Sequence, residues 1–148
     1  MKAKVNFKPD LYLRRVRDEV SRALTRQIVL VQRGLVEMLS REGSGVTYRG
    51  GRRGKGMERT RSAPGEPPAV DTGALRRSVQ VAVPSRRDTP TMVSVRLTDI
   101  LSYGGMHELG TKTTAKRPWI KPTLDPMKPQ INREVNAAVQ RALAQRGA

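Results

Sequence analysis

Apolar residues recur every three or four positions from residue 10 to residue 42, which is the spacing that places them on one face of an α-helix. Pro9 and Asp10 suit the start of this helix, because the Asp10 carboxylate can accept hydrogen bonds from the first free amides. Gly43 suits its end. The predicted apolar stripe consists of Leu13, Val16, Val20, Leu24, Ile28, Val31, Leu35 and Met38.

A helix over 10–42 spans about 50 Å, which is more than the rest of so short a chain can cover. A weaker apolar patch on the opposite side, made of Leu11, Val29 and Val36, lies among arginines. Scattered apolar residues are normal on protein surfaces. Two interpretations of this patch therefore stay open, an ordinary surface or a contact with another subunit.

Two later segments, 78–84 and 92–98, alternate between apolar residues and polar or small ones. A period of two with one apolar face predicts a half-buried antiparallel pair of strands, joined here by a polar loop. The apolar positions are Val79, Val81 and Val83 in the first segment, and Val93, Val95 and Leu97 in the second.

The segment 102–111, SYGGMHELGT, predicts a short helical turn that ends at Gly110. A C-terminal helix is predicted over 125–146, with Asp125 as its cap and Pro126 at its first position, where proline is tolerated. The order of elements predicts a single α+β domain over 1–148. Its parts are a long helix at 10–42, a loop at 43–61, a ribbon, small antiparallel sheet and short helix at 62–124, and the final helix at 125–146.

Glycine and basic residues dominate the loop 43–61. We predict either a flexible basic arm or a long β-hairpin that becomes ordered against a partner, because glycine raises the entropy cost of ordering. The partner is either protein or DNA. A phosphate-binding loop is excluded, because Met57 follows Gly51 and Gly56 where that motif needs Lys and then Ser or Thr. The candidate contact residues are Arg49, Arg52, Arg53, Lys55, Arg59 and Arg61.

The composition of the 148 residues adds two expectations. Apolar residues make up 36% of the chain and aromatic residues 3%, which predicts a thin core for an isolated subunit. Lys and Arg number 29 against 13 acidic residues, a net charge of +16. We therefore expect an acidic partner such as nucleic acid, an anionic membrane or an acidic protein face. No apolar run approaches the roughly 18 residues of a membrane span, and the N-terminus has no apolar signal-peptide region.

Catalytic chemistry finds little support in the residue types present. Cysteine is absent and His107 is the single histidine. A zinc-protease helix would need a second histidine where Thr111 stands. The acidic residues are too dispersed to nominate a pair for acid–base catalysis. We therefore expect no enzyme, no catalytic or metal-binding residue and no cofactor.

Residues 62–79, SAPGEPPAVDTGALRRSV, join three prolines to a regular element. The prolines are expected to hold 63–70 extended and to remove backbone donors. Asp71 is expected to cap a short turn through the amides of Gly73 or Ala74, directing Leu75 inward and starting a strand at Ser78. This proline-rich ribbon either positions the basic loop against a neighbouring subunit or forms a rigid connection within one subunit.

The ribbon, the strand pair, YGGMHELGT and KRPWIKPTL follow one another in an order that resembles the tail completion (head–tail joining) protein family of long-tailed bacteriophages. The resemblance covers roughly residues 60–125. Leu109 departs from it, standing where an aromatic residue is common, and Gly104–Gly105 replace a usual Ala-containing pair. The matching residues are Pro64, Gly65, Pro67, Pro68, Asp71, Thr72, Gly73, Leu75, Tyr103, Glu108, Gly110, Thr111, Arg117, Pro118 and Trp119.

The resemblance implies a structural protein of the virion neck, without catalytic residues. It implies a ring of identical subunits, commonly six-fold, between a head-completion (adaptor) protein and a tail terminator or tail tube protein. The expected location is the virion, and the host cytoplasm during assembly, with no membrane contact. DNA passing through the lumen adds a non-specific contact as an option. The alternatives are a basic nucleic-acid-binding protein without fixed assembly, or a related morphogenesis protein elsewhere in the tail.

Overall fold

The computed structural model describes residues 9–50, 56–81 and 103–144 of the chain. Its elements confirm the predicted α+β class, with a long N-terminal helix, a two-stranded antiparallel sheet, short helices and a C-terminal helix. In chain order they are α1 (Pro9–Met38), β1 (Thr47–Arg49), β2 (Glu58–Thr60), α2 (Ala74–Ser78), α3 (Tyr103–Leu109) and α4 (Ile120–Ala144).

Helix α1 ends four residues before the predicted end at residue 42, and Gly43 does not terminate it. The Ser40 amide donates to the Glu37 carbonyl at 3.0 Å, a tighter i to i−3 bond that closes the last turn. The Ser40 hydroxyl also donates to the Val36 carbonyl at 2.6 Å. Gly43 lies instead beside the backbone of Arg61, where a Cβ atom would come within 2.4 Å of the carbonyl oxygen.

The buried side of α1 agrees with the predicted stripe only in the second half of the helix. Ile28, Val31 and Leu35 are buried as predicted. Leu13 is 65% exposed, and Val16, Val20, Leu24 and Met38 are half-buried. The buried line is completed by residues outside the predicted stripe, namely Ala23, Gln27 and Leu39. On the opposite side Val29 is 52% exposed, whereas Val36 packs against the core.

The core is a small cluster where α1, α4 and the residue after α2 meet. Helices α1 and α4 form the main contact between elements. Gly34 of α1 permits their close approach, because a Cβ atom there would lie 2.9 Å from Cγ2 of Thr123. Half-buried side chains such as Leu75, Ile120 and Met127 surround the cluster. Its buried members are Val31, Leu35, Leu39, Val79 and Trp119.

The prediction that the C-terminal helix begins at Asp125 is wrong, because α4 begins at Ile120. Asp125 is an exposed residue of the second turn and bonds to Lys128 at 2.7 Å. Pro126 and Pro129 lie inside the helix and provide no N–H. On the inner side of α4 Ala138 and Ala142 are buried and Ile131, Val135 and Val139 are half-buried, while Leu143 is exposed.

The loop 43–61 contains the hairpin that was one of its two predicted forms. Strands β1 and β2 pair antiparallel with Tyr48 opposite Arg59 and Arg49 opposite Glu58. The hydroxyls of Thr47 and Thr60 face each other at 3.0 Å. Arg52, Arg53 and Lys55 lie outside the described residues.

The predicted strand pair 78–84 and 92–98 lies mostly outside the described residues, and its described part corrects the prediction. Ser78 is the last residue of α2, and residues 79–81 belong to no strand. The Val79 carbonyl accepts the Gln32 side-chain amide at 2.8 Å, and the Val79 amide donates to Arg76 at 3.4 Å. The Val79 backbone is therefore bonded to helices. The alternating burial nevertheless holds, since Val79 is buried and Gln80 exposed.

Candidate functional site

The three segments that carry the family resemblance meet at one junction beside the hairpin. The Gly65 amide of the ribbon donates to the Lys116 carbonyl at 2.9 Å. The Arg117 guanidinium donates to the Ser62 carbonyl at 3.2 Å, and the Arg117 amide donates to the His107 carbonyl of α3 at 2.7 Å. Arg117 therefore connects the ribbon, α3 and the segment that leads into α4.

The ribbon begins with a tight turn, which corrects the prediction that 63–70 is extended throughout. The Glu66 amide donates to the Ala63 carbonyl at 3.1 Å, and Gly65 has φ of 87°. Proline in the second position and a positive-φ glycine in the third are typical of a type II turn. Residues 67–70 follow without helix or paired strand, and Pro68 among them is buried.

Glu66 fixes this turn to Ser44, in the loop that follows α1. Its carboxylate accepts hydrogen bonds from the Ser44 hydroxyl, from the Ala63 amide at 2.9 Å and from the Ser44 amide at 3.1 Å. These bonds, that of the Ser44 hydroxyl first, lower the pKa of Glu66. Sequence reasoning assigned no role to Glu66. Its signal is a carboxylate inside a Pro-Gly turn, where free amides are close.

Asp71 does not cap the short turn as predicted. Its carboxylate pairs with the Arg59 guanidinium of β2, so it ties the ribbon to the hairpin. Helix α2 instead follows Gly73, which has φ of 71° and provides no side-chain cap. The Thr72 hydroxyl accepts the Ala74 amide at 3.3 Å. Leu75 packs against the core, as predicted.

Helix α3 packs on this junction through a glycine. The indole N–H of Trp119 donates to the Gly104 carbonyl at 3.2 Å. A Cβ atom on Gly104 would lie 2.9 Å from Cδ1 of Leu75 and 3.6 Å from the Trp119 ring. The absence of a side chain at Gly104 thus lets α3 approach both motif residues. Gly110 ends α3 as predicted, with φ of 75° and its amide bonded to the Met106 carbonyl at 2.8 Å.

Glu108 caps α4 from outside that helix. Its carboxylate accepts the backbone amides of Trp119 at 2.7 Å, Ile120 at 2.9 Å and Lys121 at 3.0 Å. A carboxylate at a helix N-terminus satisfies free donors and interacts favourably with the helix dipole. This contact explains why α4 begins at Ile120, although no capping residue stands beside it in the sequence.

Thr111 shapes the loop between α3 and α4. Its hydroxyl accepts the amides of Thr113 at 3.3 Å and Thr114 at 3.0 Å, and its own amide donates to the Thr114 carbonyl at 2.9 Å. This turn leads the chain back toward Arg117. Pro118, half-buried, separates Arg117 from the buried Trp119.

A cleft of about 550 Å³ opens at the junction, between β2, the ribbon and the loop after α3. We call it the basic cleft. Its lining includes Tyr48, Arg59, Arg61, Asp71, His107 and Arg117. Arg59 is neutralised by Asp71, whereas the Arg61 guanidinium lies over the Tyr48 ring, 4.6 Å from its centroid. Burial, and secondarily the charge of Arg117, lowers the pKa of His107, so this side chain is neutral near pH 7.

The predicted site residues of the motif segments lie close together, and most of their contacts are with one another. Glu108, Gly110, Thr111, Arg117 and Trp119 all serve contacts within the subunit. Of the basic-loop residues, Arg59 and Arg61 line the cleft, while Arg49 is exposed on β1. Pro64 is exposed at the turn and Pro67 is half-buried.

No family model, curated protein or solved structure matches this chain. Across the described ranges, no three side chains of the His, Asp and Glu types are grouped so that they could hold a metal ion. The helices described are also all too short or too polar to cross a bilayer.

Proposed function

We propose that the chain is a structural subunit of the neck of a long-tailed bacteriophage, assembling as a homo-oligomeric ring that completes the tail and joins it to the head-completion complex. The observation that carries this proposal is the junction. Three motif segments in the order of the tail completion family are joined by Arg117, Glu108 and Trp119 through hydrogen bonds of 2.7–3.2 Å. The residues that carry the resemblance to that family therefore build the scaffold of this subunit.

The small core also supports assembly with other subunits. The main cluster contains five buried residues, two of them from α1 and a third, Leu39, directly after it. The described part of α1 before Ala23 contains no buried side chain. On α3, Met106 is 50% exposed and Leu109 is 72% exposed. A ring needs two different complementary surfaces on each subunit, and the N-terminal half of α1 and the outer side of α3 are candidates for them.

The second candidate is a basic nucleic-acid-binding protein, which is favoured by the net charge of +16. Phosphate attraction without sequence readout is what this composition supports. It is the weaker candidate because nucleic-acid readers combine basic residues with aromatic faces. The buried Trp119 is 2% exposed, and Tyr48 is already covered by Arg61.

Native mass spectrometry of the purified protein, alone and with phage tails lacking their neck, tests the proposal. We expect a closed oligomer or incorporation at the end of the tail. A monomer that ignores tails and binds any DNA, with affinity falling roughly one log unit per log unit of salt for each phosphate contacted, would favour the second candidate.

A pair of variants tests which surface assembles. Leu109→Glu places a charge on the outer side of α3 and should reduce the oligomer. Met57→Glu, at a residue of the hairpin region that is 80% exposed, makes the same chemical change elsewhere and should leave it intact. If Leu109→Glu leaves the oligomer intact, α3 is not part of the interface between subunits.

A further inference from the structure

The basic cleft has the size of a ligand site. Its volume of about 550 Å³ lies within the range of roughly 300–1,000 Å³ that is usual for ligand pockets. Three separate parts of the chain form its walls: the hairpin, the ribbon and the loop after α3. These walls are joined to one another by the bonds of Arg117 and Gly65 described above, so the cleft is a feature of the folded junction rather than of one loop.

Its charges are only partly compensated. Asp71 is the single acidic residue in the lining and pairs with Arg59. Arg61 and Arg117 have no carboxylate partner within the described ranges. Two guanidinium groups in the cleft therefore keep their positive charge available to an anionic ligand.

Both guanidinium groups are held in place by neutral contacts. Arg61 stacks on Tyr48, a contact that uses the guanidinium face and leaves the N–H groups on its edge. Arg117 donates to the carbonyls of Ser62 at 3.2 Å and Ala115 at 3.5 Å, which employs two of its five N–H donors. Fixed guanidinium groups with remaining donors lose less entropy on binding a planar, two-oxygen acceptor.

His107 also lines the cleft, and one of its ring nitrogens is unsatisfied. Its Nδ1 atom is buried and has no hydrogen-bond partner among the described residues. Buried polar atoms are nearly always paired in folded proteins. The neutral imidazole can donate or accept one hydrogen bond without adding charge.

We propose that the basic cleft binds a carboxylate-bearing segment of a partner protein, with Arg61 and Arg117 contacting its Asp or Glu side chains. Carboxylates fit better than nucleotides, because base stacking needs aromatic faces. Tyr48 is the one Phe, Tyr or Trp side chain in the lining, and Arg61 occupies one face of its ring. The cleft is also much larger than a single inorganic anion requires. This inference rests on the cleft of one subunit and does not depend on ring formation.

The probe for this site is a fluorescein-labelled peptide of Asp, Glu and Gly, compared with its Asn, Gln and Gly analogue. Binding is measured by fluorescence anisotropy at near-physiological ionic strength, where distant charges are screened. Arg61→Gln should weaken binding of the acidic peptide at least about tenfold, because the variant loses a charged hydrogen-bond donor to the carboxylate. Arg49→Gln removes the same charge from an exposed position of the hairpin that does not line the cleft. It should change the affinity less than about twofold.

Folding of both variants is checked through the fluorescence of the single tryptophan, the buried Trp119. Equal losses from Arg61→Gln and Arg49→Gln, equal binding of the two peptides, or no binding of the acidic peptide would overturn the proposal. An oligothymidylate that displaces the peptide and shows the same dependence on Arg61 would assign the cleft to phosphate and would overturn the carboxylate assignment.

Discussion

At the scale of single residues, two carboxylates hold segments that are far apart in the sequence. Glu108 connects the last turn of α3 to the first turn of α4, and Glu66 connects the ribbon to Ser44 in the loop after α1. In both cases the acceptors are used by backbone amides that would otherwise lack partners. Glu66 and Glu108 thus lie at structural contacts, where each carboxylate has several donors.

Glu108→Gln should destabilise the fold by about 1–2 kcal/mol, because the side chain loses its charge and turns an N–H₂ group toward amide donors. The measurement is urea unfolding followed by Trp119 fluorescence. Glu37→Gln provides the matched control, since Glu37 is exposed and its carboxylate has no partner in the described part of the chain. A stability loss no greater than that of the control would contradict the capping role.

Glu66→Gln should reveal a dependence of stability on pH. The folded-state pKa of Glu66 lies below its ordinary value of 4.5, because the carboxylate accepts bonds from Ser44 and Ala63. Its contribution is therefore present above that ordinary value and is lost as the pH falls through the lower, folded-state pKa. Wild type should be more stable than Glu66→Gln at neutral pH, and the difference should shrink below about pH 4.5.

Thermal unfolding at a series of pH values measures this difference. The Tm of Asp18→Asn, a change on the exposed side of α1, should differ from the wild-type Tm by a constant amount over the same pH range. A difference between wild type and Glu66→Gln that stays constant down to strongly acidic pH would show that Glu66 makes no contribution through its charge.

The residue types at these positions were visible in the sequence, but their partners were not. Capping rules consider only residues adjacent to a helix in the sequence. They therefore predicted that α4 starts at Asp125 and its neighbouring proline. The actual cap is eleven residues before Trp119. The prediction that Asp71 caps the following turn was wrong because the partner is again distant in the sequence. The Asp71 carboxylate pairs with the Arg59 guanidinium of β2. Local rules held at Gly110, where a positive φ is required and the contact is local.

At the scale of elements, the long helix was predictable from the spacing of its apolar residues. Which of its sides is buried depends on the elements that pack against it. Only the part of α1 that meets α4 and Val79 has a continuous buried line. The hairpin was predictable only as one of two forms, because strands of three residues are too short to show a clear alternating pattern in the sequence. In the predicted strand, by contrast, the described residues 78–81 have an alternating pattern but form the end of α2 and the residues after it.

The contact between α1 and α4 gives a prediction at this scale. Gly34→Ala gains up to about 1 kcal/mol of helix propensity. The new methyl group, however, would lie 2.9 Å from Cγ2 of Thr123, and Thr123 cannot turn freely because its hydroxyl donates to the Trp119 carbonyl at 2.7 Å. Overpacking costs about 1–3 kcal/mol, so the variant should be less stable than wild type.

A double-mutant cycle with Thr123→Ser isolates this clash, since serine keeps the hydroxyl and removes the methyl group. Gly34→Ala should be neutral or stabilising in that background, with a coupling energy of about 1 kcal/mol. Gly105→Ala is the control, because a methyl group there meets open space in a helix. It should stabilise the protein in both backgrounds. Additive free energies of unfolding for the pair would contradict the proposed contact.

At the scale of the whole molecule, the excess of positive charge opposes the folded state of an isolated subunit. The described residues contain three ion pairs, of Arg22 with Glu19, Arg59 with Asp71 and Lys128 with Asp125. All three are at least partly exposed, and such pairs contribute at most about 1 kcal/mol each. With 29 basic residues and 13 acidic ones, repulsion outweighs attraction. A subunit of this kind gains stability when an acidic partner or salt reduces the repulsion.

Raising NaCl from about 0.02 M to about 0.3 M should therefore raise the Tm by several degrees, because the screening length shortens to less than about 10 Å. Replacing Arg14 and Arg15, both exposed on α1, by glutamine should raise the Tm at low salt and weaken its dependence on salt. Glutamine has nearly the helix propensity of arginine, so the change reports on charge. Differential scanning calorimetry of both proteins at matched concentration measures both effects. A Tm that falls with NaCl would mean that attraction within the ion pairs outweighs the repulsion between basic residues. The isolated subunit would then need no acidic partner to offset its positive charge.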